Sequence, residues 1–166
     1  MIIRRERADD RPEIFAVVSD AFAGGAEIQL LRELFAAREY IPELSLVAES
    51  EQGTILGYTI ATRAWVGESR SLGLGPLAVQ PGYQNQGVGS ALMAATIAGA
   101  DELGESTLVV LGSFDYFPRF GFVPADSLGI TSPDPSWGSH FMALALAAYG
   151  PGLHGHFRYA QPFNNR

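Results

Sequence analysis

The sequence predicts a mixed α/β protein, with one central sheet carrying helices on both faces. Three observations predict it. Segments with helical apolar spacing are interleaved with segments of strand character along the chain. The run STLVVLG around Leu108 is continuously apolar, as expected of a strand covered on both sides. Finally, LAVQPGYQNQGVGSALM, from Leu77 to Met93, takes a strand through a proline and three glycines directly into an apolar helix.

Taken in order, MIIRRER reads as a first strand. Ile14, Val17, Val18 and Phe22 recur at helical spacing, which predicts a helix opened by an Asp cap and closed by Gly24 and Gly25. A second helix fits Glu27 to Tyr40, with Ile28, Leu31, Leu34 and Phe35 on one face and Pro42 at its exit. ELSLVAES and TILGYTIATRAWVG, joined at EQG, read as a hairpin. SRSLGLGPLAVQ is a third strand in series, interrupted by Gly73 and Gly75. From Gly87 the chain is alanine-rich and helical as far as Gly104, a glycine placed to close a helix. SFDYFPRFGF has room for at most a short helix, and HFMALALAAYG is the last strand expected. The tail 148–166 fits no element; its Phe157, Tyr159 and Phe163 are candidates to cover a partner in a homodimer. No repeat or linker divides the chain, so residues 1–166 are expected to form one domain.

Composition narrows the function classes. With 166 residues, 47% apolar and 17% charged, the chain is globular and long enough to bury a core without staples. No apolar run reaches the ~18 residues of a membrane span, and the charged N-terminus lacks a signal-peptide core, so a cytoplasmic protein without membrane contact is expected. There is no cysteine, which excludes disulfides, thiolate metal sites and a cysteine nucleophile. All eleven basic residues are arginine. Schiff-base, pyridoxal-phosphate and P-loop enzymes each need a lysine this chain lacks. A net charge of −7 speaks against nucleic acid as a partner.

The glycine stretch carries the chemistry. Gln84-Asn85-Gln86-Gly87-Val88-Gly89-Ser90 leads into a helix, so its amides are the unpaired donors of that helix's first turn. Bare backbone, unpaired amides and the helix dipole together make an anion cradle. The plainer alternative is a tight turn with close helix packing. Gly82 and Gly87 have P-loop spacing, but Val88 and Gly89 follow where Lys and Ser or Thr belong. A dinucleotide fingerprint fails as well, because Leu92 stands where its third glycine should be.

QNQGVG resembles the R/Q-x-x-G-x-G/A signature of the GNAT superfamily of acyl-CoA-dependent N-acyltransferases. LGPLAVQPGYQ before it, the helix after it and YFPRFGF further on are similar to that superfamily's flanking segments, and the element order agrees from residue 1 to about 147. The resemblance implies a splayed central sheet. It implies that amides of Gln84 to Ser90 (Gln84, Asn85, Gln86, Gly87, Val88, Gly89, Ser90) hold the pyrophosphate of acetyl-CoA. The backbone of Leu77, Ala78 and Val79 would pair with the pantetheine arm as an added strand, and Phe117 would belong to the same site. No metal is implied.

It further implies direct attack of an amine on the thioester. Carbonyl polarisation needs only a backbone N–H, placed near Val79 by the resemblance. The superfamily often has a tyrosine four residues before the glycine of the closing GF; here that position is Phe117, and the tyrosine stands one place earlier, at Tyr116. Adjacent residues of a helical turn point ~100° apart, so Tyr116 does not simply replace it. Tyr116 or a water is the expected proton donor to the thiolate. Glu27, Glu68 and Asp115 are carboxylates available as a base. Trp65, Phe22 and Tyr58 are read either as acceptor-pocket or as core residues, Arg119 more as a carboxylate partner than as a phosphate ligand, and His154 and His156 as tail-loop residues. The expected function is N-acetylation of a primary amine, small-molecule or peptide. The alternative is an acyl-CoA-binding sensor or regulatory module without efficient catalysis.

Overall fold

The computed structural model describes residues 1–165. Its elements are β1 (Ile2–Arg5), α1 (Arg11–Ala21), α2 (Ala26–Phe35), β2 (Ser45–Glu49), β3 (Ile55–Val66), β4 (Ser69–Val79), α3 (Val88–Glu102), β5 (Thr107–Leu111), β6 (Val123–Pro124), β7 (Ile130–Thr131), β8 (Phe141–Ala145) and β9 (Gly155–Arg158). The sheet runs β1-β2-β3-β4-β5-β8-β6. Neighbours along this path are antiparallel except β4 and β5, which are parallel because α3 carries the chain back across one face.

Both faces of the sheet are covered. Met93 and Ala100 of α3 pack with Leu72, Leu74, Leu108 and Val110 on one side. On the other, Ile14, Val17 and Val18 of α1 and Leu31 and Leu34 of α2 pack with Val47, Tyr58, Ile60 and Ala78. The approach of α3 is closest at Gly57, where a Cβ would stand 2.9 Å from Val88 Cγ1 and 3.0 Å from the Ala78 carbonyl. A strand residue without a side chain lets the start of α3 sit directly on β3 and β4.

Several sequence expectations change on contact with tertiary structure. The Asp10 carboxylate does not cap α1; it accepts from the Arg7 amide at 2.6 Å and from the Arg4 guanidinium at 2.8 and 3.0 Å. The Arg4 hydrogen bond holds the Asp10 carboxyl below the usual aspartate value. Phe22 lies outside α1, in extended conformation, although its spacing matched the helix. The second helix stops at Phe35, because Tyr40 turns away to donate its hydroxyl to Glu6 and to set its ring edge-on to Phe35 at 5.9 Å. β8 is not the last strand. The tail returns as β9, pairing Trp65 with Arg158 and Val66 with Phe157, and in parallel with β7. Its aromatics therefore cover the chain's own sheet: Phe157 is buried, and Tyr159 stacks on Phe163 at 4.6 Å. Burial drives the Tyr159 phenol well above its ordinary pKa.

Candidate functional site

The site begins where two strands part. β4 and β5 pair only at Leu72–Leu108 and Gly73–Val109. Beyond Gly73, β4 stays with β3 while β5 stays with β8, so the two diverge. The divergence coincides with a bulge. Ala61 pairs with Leu74 and Thr59 with Leu77, so β4 carries one residue more than β3 between these pairs. Gly75 lies in that interval with φ of +133°, a conformation open to glycine and little else. Its glycines thus bend the strand without interrupting it.

The resulting cleft holds about 760 Å³. Leu74, Leu77 and Val79 form one wall, and Val110, Tyr116 and Phe117 the other; Ala21 and Phe22 also line it. The edge of β4 facing the cleft has no strand partner beyond Gly73, so its polar backbone groups are available to an extended ligand. One of them is engaged locally: the Val79 carbonyl accepts from Gln84 Nε2 at 3.2 Å.

The α3 corner closes one end. Asn85 (φ 61°) and Gly87 (φ 88°) are left-handed, which turns the loop sharply into the helix. α3 has no side-chain cap and no acidic residue in its first turn. Its first intrahelical bond runs from the Ala91 amide to the Gly87 carbonyl, leaving the amides of Val88, Gly89 and Ser90 without a helical partner. Gly87, Gly89, Ser90, Gln84 and Asn85 all face the cleft. The Gln86 side chain is tied back to the Gly82 carbonyl, and the Val88 side chain is buried against Leu92 and Leu46.

Known proteins are similar to this chain over most of its length. The pattern of the Acetyltransferase (GNAT) family matches residues 11–122. The chain belongs to the GNAT acetyltransferase family. An uncharacterised N-acetyltransferase of Escherichia coli, YjhQ, is 37% identical over 92% of this chain and 88% of its own length. A second one from the same bacterium, YhbS, is 31% identical over 99% of each chain. The crystal structure of YhbS in complex with CoA superposes with a TM-score of 0.91, covering 98% of this chain and 91% of that one at 30% identity. A GNAT acetyltransferase from Brucella melitensis in complex with acetyl-CoA gives 0.78 at 30% identity, covering 98% and 97%. The mixed, splayed sheet is the GNAT fold.

Within this GNAT domain the sequence-predicted residues separate into those the fold gathers and those it does not. Leu77, Ala78, Val79 and the corner residues converge on the cleft. Tyr116 and Phe117 do point apart. Phe117 packs against Gly112 and Phe122 and lines the cleft wall. The Tyr116 ring enters the cleft, and its hydroxyl lies 2.7 Å from where a Gly89 Cβ would stand. Among the described residues Arg119 pairs with no carboxylate. Its guanidinium stacks on the Tyr116 ring at 4.7 Å and donates to the Tyr116 and Asp115 carbonyls, on the cleft wall.

None of the three carboxylates lines the cleft. Glu68 is exposed in the turn between β3 and β4, at the opposite end of β4 from Val79. Asp115 is exposed beside the cleft. Glu27 is half-buried in the first turn of α2, with an Oε2 atom that is shielded from solvent and has no hydrogen-bond partner. Of the aromatics, Tyr58 is core, its hydroxyl 2.7 Å from Ser45 Oγ; Trp65 lies at the far end of β3; Phe22 alone reaches the cleft. Leu74, Gly75, Val110 and Ser113 also line it; of these, only Gly75 was singled out by the sequence, as an interruption of the strand. Among the described residues no group of three or more side chains is placed to hold a metal, and no helix is long and apolar enough to cross a membrane.

Proposed function

We propose that the protein is an acetyl-CoA-dependent N-acetyltransferase of primary amines, acting in the cytoplasm. The observation that carries this reading is the junction of an unpaired β4 edge with the uncapped start of α3. The amides of Val88, Gly89 and Ser90, at the positive end of a helix dipole, suit a diphosphate. The edge from Leu74 to Val79 suits the amide-bearing pantetheine arm, which would add to β4 as a strand. Arg119 stands on the cleft wall with no carboxylate partner, and its charge complements a phosphate. The complexes of YhbS with CoA and of the Brucella protein with acetyl-CoA support the same assignment.

In the reaction the amine nitrogen attacks the thioester carbonyl carbon, the C–S bond breaks, and the thiolate takes a proton. A backbone N–H of the free β4 edge, a pantetheine's length from the α3 corner, stabilises the developing oxyanion. Tyr116 is the proposed proton donor to the thiolate. It is the one phenol among the described residues lining the cleft, and Phe117 on the same wall has no proton to give. A thiol titrates near ~8.5, so its thiolate leaves tolerably without assistance, and general acids are worth ~10²–10⁴-fold. Tyr116→Phe is therefore expected to lower kcat about 100-fold, as read by CoA release at saturating acetyl-CoA.

The second reading, an acyl-CoA-binding module without efficient catalysis, is favoured by Phe117 in place of the family tyrosine. One experiment separates the two: titrate acetyl-CoA calorimetrically, then assay CoA release against a panel of amines. Binding with turnover supports the transferase; binding without release on any acceptor supports the module. Folded protein that takes up neither CoA nor its thioesters removes both.

A further inference from the structure

We propose that Tyr159, the residue after β9, hydrogen-bonds the amine acceptor at the split between β4 and β5, so that the C-terminal tail is a specificity element of the enzyme. This rests on the transferase reading above. A pantetheine arm added to β4 from the α3 corner carries its thioester toward Leu74, where the two strands close at Gly73–Val109. One side of that point is filled: Met93 of α3 packs there with Leu74, Val110, Phe117 and Phe122. Side chains alternate along a strand, so Gly73 and Leu111 turn to the opposite side. Tyr159 lies on that side, with ring carbons 2.9 and 3.1 Å from where a Gly73 Cβ would stand. Across the split Leu111 is 43% exposed. It is paired with Phe141, whose ring lies 5.8 Å from Trp137 and 6.5 Å from Tyr159. The amine therefore approaches from this second side, past a face built by the tail and the loop before β8.

The Tyr159 hydroxyl is the unusual group on that face. A phenol taken out of water normally finds a hydrogen-bond partner. Here Tyr58 meets Ser45 Oγ, Tyr40 donates to Glu6, and Tyr149 donates to the Leu128 carbonyl. The Tyr159 hydroxyl has no partner among the described residues, and burial alone raises its pKa. Nor is it sealed in. Among the described residues, the side-chain atoms both shielded from solvent and unpartnered belong to Glu27 and Thr62, so the Tyr159 hydroxyl keeps an opening to the outside. Its ring is fixed, stacked on Phe163 at 4.6 Å and edge-on to Phe157 at 4.7 Å. An unused hydroxyl on a rigid ring at the closed end of the split is a preorganised contact, made at little cost in entropy. Because burial keeps the phenol protonated, it can accept one hydrogen bond and donate another but is no base. Trp137, partly exposed beside it, offers the acceptor's body an aromatic wall.

The test uses the intact protein, acetyl-CoA and whichever of 2-phenylethylamine, phenylalaninamide and spermidine releases CoA fastest. Tyr159→Phe keeps the ring over Gly73 and removes the hydroxyl. The expected result is an amine KM raised about tenfold, the loss of one hydrogen bond, with KM and calorimetric Kd for acetyl-CoA unchanged and the unfolding midpoint retained. His156→Ala, exposed on the same strand, should alter neither constant. If Tyr159→Phe does not fold, Trp137→Leu reads the same face from outside the tail and should raise the amine KM at least threefold. Three results overturn the proposal while the transferase reading stands. The first is an amine KM that the folded variant leaves untouched. The second is an equal loss of acetyl-CoA affinity, which would put the hydroxyl on the cofactor. The third is an equal rise in amine KM with His156→Ala, which would make the tail a structural support only. CoA release with none of the three amines, acetyl-CoA still binding, overturns both.

Discussion

The two halves of β4 are the same strand under opposite constraints. From Ser69 to Gly73 it is paired with β3, and at Leu72 and Gly73 also with β5. There Ser71 Oγ meets Thr107 Oγ1 at 2.6 Å, and Arg63 grips Glu105 through two contacts of 2.7 Å beside the Ser71 carbonyl. The Tyr159 ring lies on Gly73 so closely that a Cβ there would stand 2.9 Å from it. From Leu74 to Val79 one edge is free, the strand is bulged, and the lining faces a cleft. The closed half supplies rigidity, and the open half supplies unsatisfied backbone. A ligand-binding edge can be kept open only if the strand bearing it is anchored elsewhere, because an isolated open edge would recruit another strand.

That contrast predicts stability effects in one half and binding effects in the other. Tyr159→Ala empties the space over Gly73 and should cost about 4 kcal/mol of unfolding free energy, measured by denaturant titration, with acetyl-CoA affinity of the folded fraction retained. Ser90→Glu acts in reverse. A carboxylate in the first turn of α3 is compatible with the helix dipole, so stability should hold or rise slightly. A diphosphate would meet that charge, and acetyl-CoA should bind about 100-fold more weakly, ~2.7 kcal/mol by calorimetry. If Ser90→Glu binds normally, the open corner is not the phosphate site. Glu105→Gln leaves the largely buried Arg63 short of its anion and should cost about 2 kcal/mol. The smallest effect has the opposite sign. Thr62, opposite Gly73, buries an Oγ1 atom with no hydrogen-bond partner. Thr62→Val keeps the shape, removes the orphan, and should stabilise by up to ~1 kcal/mol with no change in binding.

Much of this was legible before the fold was seen. The alternation of strands and helices, the buried run at β5 and the glycine-rich corner before α3 all follow from local periodicity and backbone permissiveness. The α3 corner was the most legible part of the site, since its function resides in main-chain amides and its signature in missing side chains. The candidate carboxylates were the least legible. Glu68 is far away only because β3 and β4 are long and antiparallel, and nothing in the residues around it encodes that distance. Phe22 shows the same limit at close range: its spacing fits the α1 stripe, yet it leaves the helix for the cleft. The tail was unreadable because β9 is only four residues long and draws its pattern from strands distant in sequence.

What the amino-acid order determined by itself was the set of elements and the bare amides at Val88 to Ser90, because period, φ freedom and helix ends are properties of a few neighbouring residues. Only the tertiary structure decided that β4 and β5 part at Gly73, that Tyr116 brings a hydroxyl to the gap's wall beside Phe117, and that none of Glu27, Glu68 and Asp115 stands on that wall. Those outcomes depend on which distant strand wins each hydrogen-bonding edge and which ring wins each core position. That competition is settled by packing across the whole sheet rather than within any short stretch.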